Sequence, residues 1–301
     1  MKRESRSQYQ DLMRATVLGL MALTLISARA KEPHVPPVGP NLERITVTVG
    51  DLTLLLRQGT QWTPGRIDYR GTAMTTERSA YGTVFKFPGV GFIGTGHFEN
   101  EPEDLRSVHF FLDGAPVAAA TEALKGESFR FERESRVRDF SLRNTTELKD
   151  NRLYETATIE TKMAVPLDLI YHFMHAWQPE ISDFVAGTDG DEKITSGSFE
   201  STDEALGKFY IDAEVDWVAV YHPSSQKFAV SRLLETPDGL SHQSKLWNRP
   251  PTYRKYYLAT FVNRTVPAGF EGTWRMVTAF GEASPLNWQA EAQALAEKLR
   301  E

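Results

Sequence analysis

The stretch "LDLIYHFMHAWQPE", residues 167–180, sets two histidines, a tyrosine and a tryptophan among long apolar side chains. In a strand, successive side chains point to opposite faces. Leu167, Leu169, Tyr171, Phe173, His175 and Trp177 then face one way, and Asp168, Ile170, His172, Met174 and Ala176 face the other. Both sets are largely apolar, which marks a strand covered on each side, as in the middle of a two-layered sandwich. The same parity separates the histidines onto opposite faces unless a bulge intervenes. An H-x-x-H zinc pair, whose members must converge on one ion, is therefore not expected.

The strand grammar extends over most of the chain. "RITVTVGDLTLLLRQ" (44–58) gives two alternating runs around Gly50-Asp51. Short β-branched or aromatic runs bounded by Gly, Pro, Asn or Asp recur in "YGTVFKF", "SVHFFLDG", "SFRFERES", "RLYETATIE", "WVAVYHP", "QKFAVSRLL", "KYYLATFVN" and "TWRMVTAFG". Such runs without intervening helices predict an all-β, antiparallel sandwich over residues 44–283. Helical spacing appears only in "SPLNWQAEAQALAEKLRE" (284–301). Ser284 is the expected N-cap there, Pro285 the first helical residue, and Trp288, Ala292, Leu295 and Leu299 the buried stripe, packed on the sandwich.

The ends and the charge bound the compartment and the partners. Basic residues, the apolar run "ATVLGLMALTLISA" and then "ARA" read as an export signal over residues 1–30, with the mature chain beginning at Lys31 in the periplasm or the medium. Residues 31–43 are proline-rich and read as an extended linker. No other segment is apolar enough to span a membrane as a helix. Cysteine is absent, so neither a disulfide framework nor a thiolate metal site is available. Beyond the leader, 29 basic residues face 38 acidic ones, a net charge of −9. That balance disfavours nucleic acid, which rewards basic surfaces.

Two motif matches fail on chemistry, and no cofactor or metal is expected. Gly89, Gly91 and Gly94 in "PGVGFIGTGH" have G-x-G-x-x-G spacing. A dinucleotide site needs a helix directly after them, and "HFENEPEDLRSVHFFLDG" reads as turn and strand. In "DGDEKITSGSFE", Asp189, Asp191 and Glu200 fit positions 1, 3 and 12 of a calcium loop, but Ile194 stands where glycine is required. A lone surface calcium on Asp189, Asp191 and Glu192 is the weaker remnant of that match.

Candidate site residues are the histidine strand and its aromatic company. His175 is the leading acid–base group, because the alternation gives it Tyr171 and Trp177 as neighbours and its charge changes near neutral pH. His172, between Ile170 and Met174, reads as core. Trp217, Trp247, Arg254 and Tyr257 from later strands complete an inventory suited to carbohydrate, whose ring faces stack on aromatics while hydroxyls bond polar groups. The competing reading is that both histidines are packed, neutral and hydrogen-bonded.

The order of these segments resembles the galactose-mutarotase-like supersandwich of aldose epimerases and polysaccharide lyase β domains. The likeness is carried by "ITVTVGDLTLLLRQG" with "GRIDYRGTAM", by "FRFERESRVRDFSLRNTTEL" with "LYETATIE", by "LDLIYHFMHAWQP", and by the closing "VPAGFEGTWRMVTAFG". By that resemblance the catalytic histidine of the epimerases falls at His172 or His175. Their late-strand glutamate has no clear counterpart, since Glu235 and Glu271 both lie near turns. A lyase would use a Tyr or His base with a cation on the uronate, roles that Tyr171, His175 and Arg254 could fill. The resemblance implies an exported carbohydrate-active protein of lyase or epimerase type. The alternative is a non-catalytic carbohydrate-binding or envelope sandwich on the same fold. The sequence leaves the oligomeric state open.

Overall fold

The computed structural model describes residue 39 and residues 41–77, 82–97, 99–117, 122–189, 194–200 and 202–300. The export signal lies outside them, as do Asp191 and Glu192 of the calcium match.

A ten-stranded antiparallel sheet forms one layer. Its centre is built by Ser128–Val137, Phe140–Lys149, Arg152–Thr161, Glu271–Glu282 and Lys227–Glu235, each hydrogen-bonded to the next. Strict alternation of buried and open positions in Arg152–Thr161 shows the period-two pattern at work. One face of this sheet carries Phe129, Phe131, Leu142, Leu153, Ala157, Ile159, Trp274 and Met276 into the main core.

Two smaller sheets cover that face. A five-stranded sheet contributes Val47, Leu52, Leu54 and Ile67. Its strand Arg44–Val49 pairs in parallel with Ala123–Gly126, a departure from an otherwise antiparallel architecture. A six-stranded sheet runs in the order Phe209–Ala213, Gln243–Arg249, Tyr253–Thr260, Leu169–Trp177, Val84–Phe87 and Gly91–Gly94. It contributes Phe85, Ile170, Phe173, Trp177, Leu246 and Leu258 to the same core. The glycines of the apparent nucleotide motif sit in the hairpin that ends this sheet. A Cβ on Gly94 would stand 2.6 Å from the carbonyl oxygen of Thr83, so glycine is needed there for close backbone approach.

The opposite face of the ten-stranded sheet is closed by the helix Trp288–Lys298. A turn from Ser284 precedes it, with the backbone N–H groups of Asn287 and Trp288 both donating to the Ser284 carbonyl. The helix therefore starts three residues after Pro285, later than the capping pattern predicts. Trp288, Ala292, Ala296 and Leu299 are buried, and Trp288 stacks on Tyr221 at 4.9 Å. Leu295 is partly buried beside them.

Removing the helix leaves Tyr221, Val230 and Ala279 facing water. Trp288→Ala should cost about 3–5 kcal/mol, the usual range for emptying a large aromatic site. Denaturant unfolding checks it, and an unchanged midpoint would show that the helix contributes nothing to stability.

Candidate functional site

The histidine strand does not alternate throughout. Leu169–Trp177 pairs with Tyr253–Thr260 through His172↔Leu258, and resumes at His175↔Tyr256. Phe173 and Met174 on one strand thus oppose Tyr257 alone on the other, and Phe173 takes up the difference with φ = 53°. A left-handed backbone at a bulky residue is strained by roughly 1–2 kcal/mol, and the burial of Phe173 in the core offsets it. The parity derived above is therefore corrected. Ile170, His172, His175 and Trp177 all face the interior between the sheets, whereas Tyr171, Met174 and Ala176 share the outer face.

Both histidines are fully buried. His172 stacks on Trp274 at 4.3 Å and lies between Thr83 Oγ1 (3.2 Å from Nδ1) and Thr260 Oγ1 (3.3 Å from Nε2). Burial without a countercharge pushes its pKa down to about 3, so the ring is neutral. His175 Nε2 meets Glu155 Oε2 at 2.7 Å, with Ser231 Oγ 3.4 Å from Nδ1 and Trp177 edge-on at 5.1 Å. Glu155 is a carboxylate that the sequence reading passed over.

The remaining predicted residues separate into two sets. Arg254 is buried and braces the turn after the histidine strand, donating to the carbonyls of Pro179 and Ile181 and to Asn248 Oδ1. Trp177 is core, and Trp217 packs in the helix-covered cluster on the far side of the ten-stranded sheet. Tyr171, Trp247 and Tyr257, by contrast, meet on the outer face of the six-stranded sheet. The structure does not bring His175 or Arg254 to that group.

Residues that the sequence reading missed complete this outer face. Tyr171 Oη is hydrogen-bonded to His97 Nε2, and His97 Nδ1 lies 2.6 Å from Glu99 Oε1. With Nδ1–H donating to the carboxylate, Nε2 accepts from the phenol, so tyrosine, histidine and glutamate form one proton-relay chain. His97 is 24% exposed and Glu99 55%, so the chain reaches solvent. Burial holds the Tyr171 pKa well above 10 and keeps the phenol protonated at rest.

Lys255 is the second missed group. Its Nζ stands over the rings of Tyr171 at 4.8 Å, Tyr257 at 5.1 Å and Trp247 at 5.5 Å. Desolvation, with nearby Arg249 adding to it, lowers its pKa to about 8. Holding this ammonium charged at neutral pH costs on the order of 3 kcal/mol, from a fall of 10.5 to about 8. Glu99 pulls against this shift, and Arg249 donates to Tyr253 Oη at 3.4 Å. Two cations on one face of an acidic protein form an anion-binding arrangement. His97 ends "GFIGTGH", one residue after Gly96 and three after Gly94.

No cluster of three or more His, Asp or Glu side chains among the described residues is arranged to hold a metal. No helix there is long and apolar enough to cross a membrane. Of the calcium match, Asp189 is occupied by ion pairs from Arg232 and Arg300, and Glu200 by one from Lys208.

No protein-family model and no curated protein sequence matches the chain. Solved structures do. A galactose mutarotase-like protein from Lactobacillus casei ATCC 334 aligns with a TM-score of 0.50 at 9% identity, over 79% of this chain and all of that one. The fold is galactose mutarotase-like. A protein from Synechocystis sp. PCC 6803 aligns at 0.52 and 10% identity, over 83% of this chain and 100% of that one. The α-N-acetylgalactosaminidase NagBb from Bifidobacterium bifidum aligns at 0.52 and 8% identity, over 85% of this chain but 39% of its own. At such identities the likeness extends to the fold alone.

The neutral burial of His172 has a testable signature. Between pH 6.5 and about 3 the unfolded chain takes up a proton that the folded ring refuses, so this group's stabilisation falls as the pH drops through that window. From pH 6.5 to 4.5 the loss should be about 2 kcal/mol, and His172→Gln should unfold with a pH dependence shallower by that amount. Equal slopes for the two proteins would show that His172 is not held neutral.

Proposed function

We propose that this chain is an exported carbohydrate-active enzyme that removes a proton from a sugar carbon next to a carboxylate. The observation that carries the reading is the Tyr171–His97–Glu99 chain beside the cations Lys255 and Arg249. The galactose mutarotase-like fold and neighbours named for galactose mutarotase and α-N-acetylgalactosaminidase support a sugar as the ligand.

The chemistry follows from the geometry. Tyr171 takes the carbon-bound proton while its own phenolic proton passes to His97 Nε2. The imidazolium so formed is stabilised by Glu99. Negative charge gathers on the sugar carboxylate, where Lys255 and Arg249 stabilise it in a partly desolvated setting. Elimination follows if the neighbouring carbon carries a glycosidic oxygen: the C–O bond breaks, a C=C bond forms, and the departing oxygen takes the proton back from the relay. In this reading His172 and His175 hold the sandwich together from within, and the acid–base histidine is His97.

The test is incubation with uronate-containing oligosaccharides in heavy water. Deuterium entry at the carbon beside the carboxylate, or ultraviolet absorbance from a new C=C bond, is the expected result. Tyr171→Phe should lower the rate by about 10²–10⁴ with little change in melting temperature. A variant as active as the parent, or an inactive parent on every uronate tried, overturns the reading and favours a binding protein.

Lys255 sets a pH limit on the same site. It is charged below about 8, so affinity for an anionic sugar should weaken as the pH rises past 8 and hold level between 6 and 7.5. Lys255→Met should bind such ligands poorly yet unfold at a higher temperature at pH 7, because the desolvated charge is gone. Titration calorimetry and thermal melts read the two effects separately.

A further inference from the structure

The far edge of the same face is aromatic and open. Phe209 begins the edge strand Phe209–Ala213 and is 46% exposed. Its cross-strand partner is Trp247, with ring centroids 6.2 Å apart and planes at 33°. Trp247 in turn pairs with Lys255, whose ammonium touches the rings of Tyr257 and Tyr171. A row of contacts thus crosses the sheet from Phe209 to the acid–base group.

Three details of this edge point to a ligand. The indole N–H of Trp247 is buried and has no hydrogen-bond partner, although a buried indole donor normally finds one. Phe209 offers an open aromatic ring at the sheet edge. Lys245 stands over the Phe209 ring at 5.2 Å and is tied to Asp212. Phe209 and Tyr171 lie on strands three positions apart, about 14 Å at ~4.8 Å per strand. One sugar ring cannot cover that distance, and a short chain can.

Resting on the function proposed above, we infer that Phe209 and Trp247 form a distal subsite, and that the substrate is an anionic oligosaccharide lying across the strands. Its reacting unit sits at Tyr171 and His97, and its charge faces Lys255 and Arg249. A unit further along stacks its apolar ring face on Phe209 and Trp247, with a hydroxyl accepting from the indole N–H.

Titration calorimetry on the full chain tests this, using ladders of two, four and six sugars cut from pectin, alginate, chondroitin and heparan sulfate. On the ladder that binds, affinity should rise about tenfold, some 1.4 kcal/mol, from the disaccharide to the tetrasaccharide. Phe209→Ala should cut the tetrasaccharide-to-disaccharide affinity ratio about fivefold, and its melting temperature should stay unchanged because the ring is exposed. Trp247→Phe, which keeps a ring but removes the donor, should cut the same ratio. A ladder that binds with equal affinity at every length, or a ratio untouched by both variants, overturns the distal subsite and leaves the acid–base reading standing. Absence of binding on all four ladders overturns both.

Discussion

One left-handed residue organises this molecule. Phe173 inserts an extra position into the central strand of the six-stranded sheet, and every side chain after it changes face relative to simple alternation. Because of that shift, His172 and His175 both enter the sandwich interior, and Tyr171 and Ala176 both lie on the outer face. The strain is local and small beside the burial it permits, since Phe173, Trp177 and both imidazoles end up almost without exposure.

The interior that results is unusually polar for a β-sandwich core. His172 is satisfied by two threonine hydroxyls, His175 by Glu155 and Ser231, and Arg133 by a two-pronged pair with Glu103 at 2.6 and 2.7 Å. Truncating one partner of such a pair leaves a buried charge, which is far more damaging than losing a surface ion pair. Arg254 belongs to this group through its three acceptors after the histidine strand. Polar side chains here bond to one another across strands and sheets.

The outer face follows the opposite logic. Lys255 is desolvated among three aromatic rings, and Arg249 adds to the downward pull on its pKa. The Trp247 indole is left without an acceptor. Departures from good packing collected on one face, next to a tyrosine–histidine–glutamate relay, are what a site for a charged, hydroxyl-rich ligand requires. The interior satisfies its polar groups internally, whereas this face leaves them for something else.

The sequence by itself determined the fold class. Period-two alternation in "RITVTVGDLTLLLRQ" and "RLYETATIE", the turn residues between runs and the single helical stripe at Trp288, Ala292 and Leu299 are local signals, and local chemistry governs strands, turns and helix faces. Its aromatic candidates did not sort themselves: Tyr171, Trp247 and Tyr257 share one face, while Trp177 and Trp217 are packed elsewhere. It could not place His175. A bulge is set by how two strands pair, and nothing in "YHFMHAW" marks Phe173 as the residue that turns left-handed. His97 and Lys255 escaped for a related reason. Each is an ordinary residue in its own segment, and only the pairing of Val84–Phe87, Leu169–Trp177 and Tyr253–Thr260 brings them within reach of Tyr171. Glu155 joined His175 across the gap between two sheets, a contact that no spacing along the chain encodes.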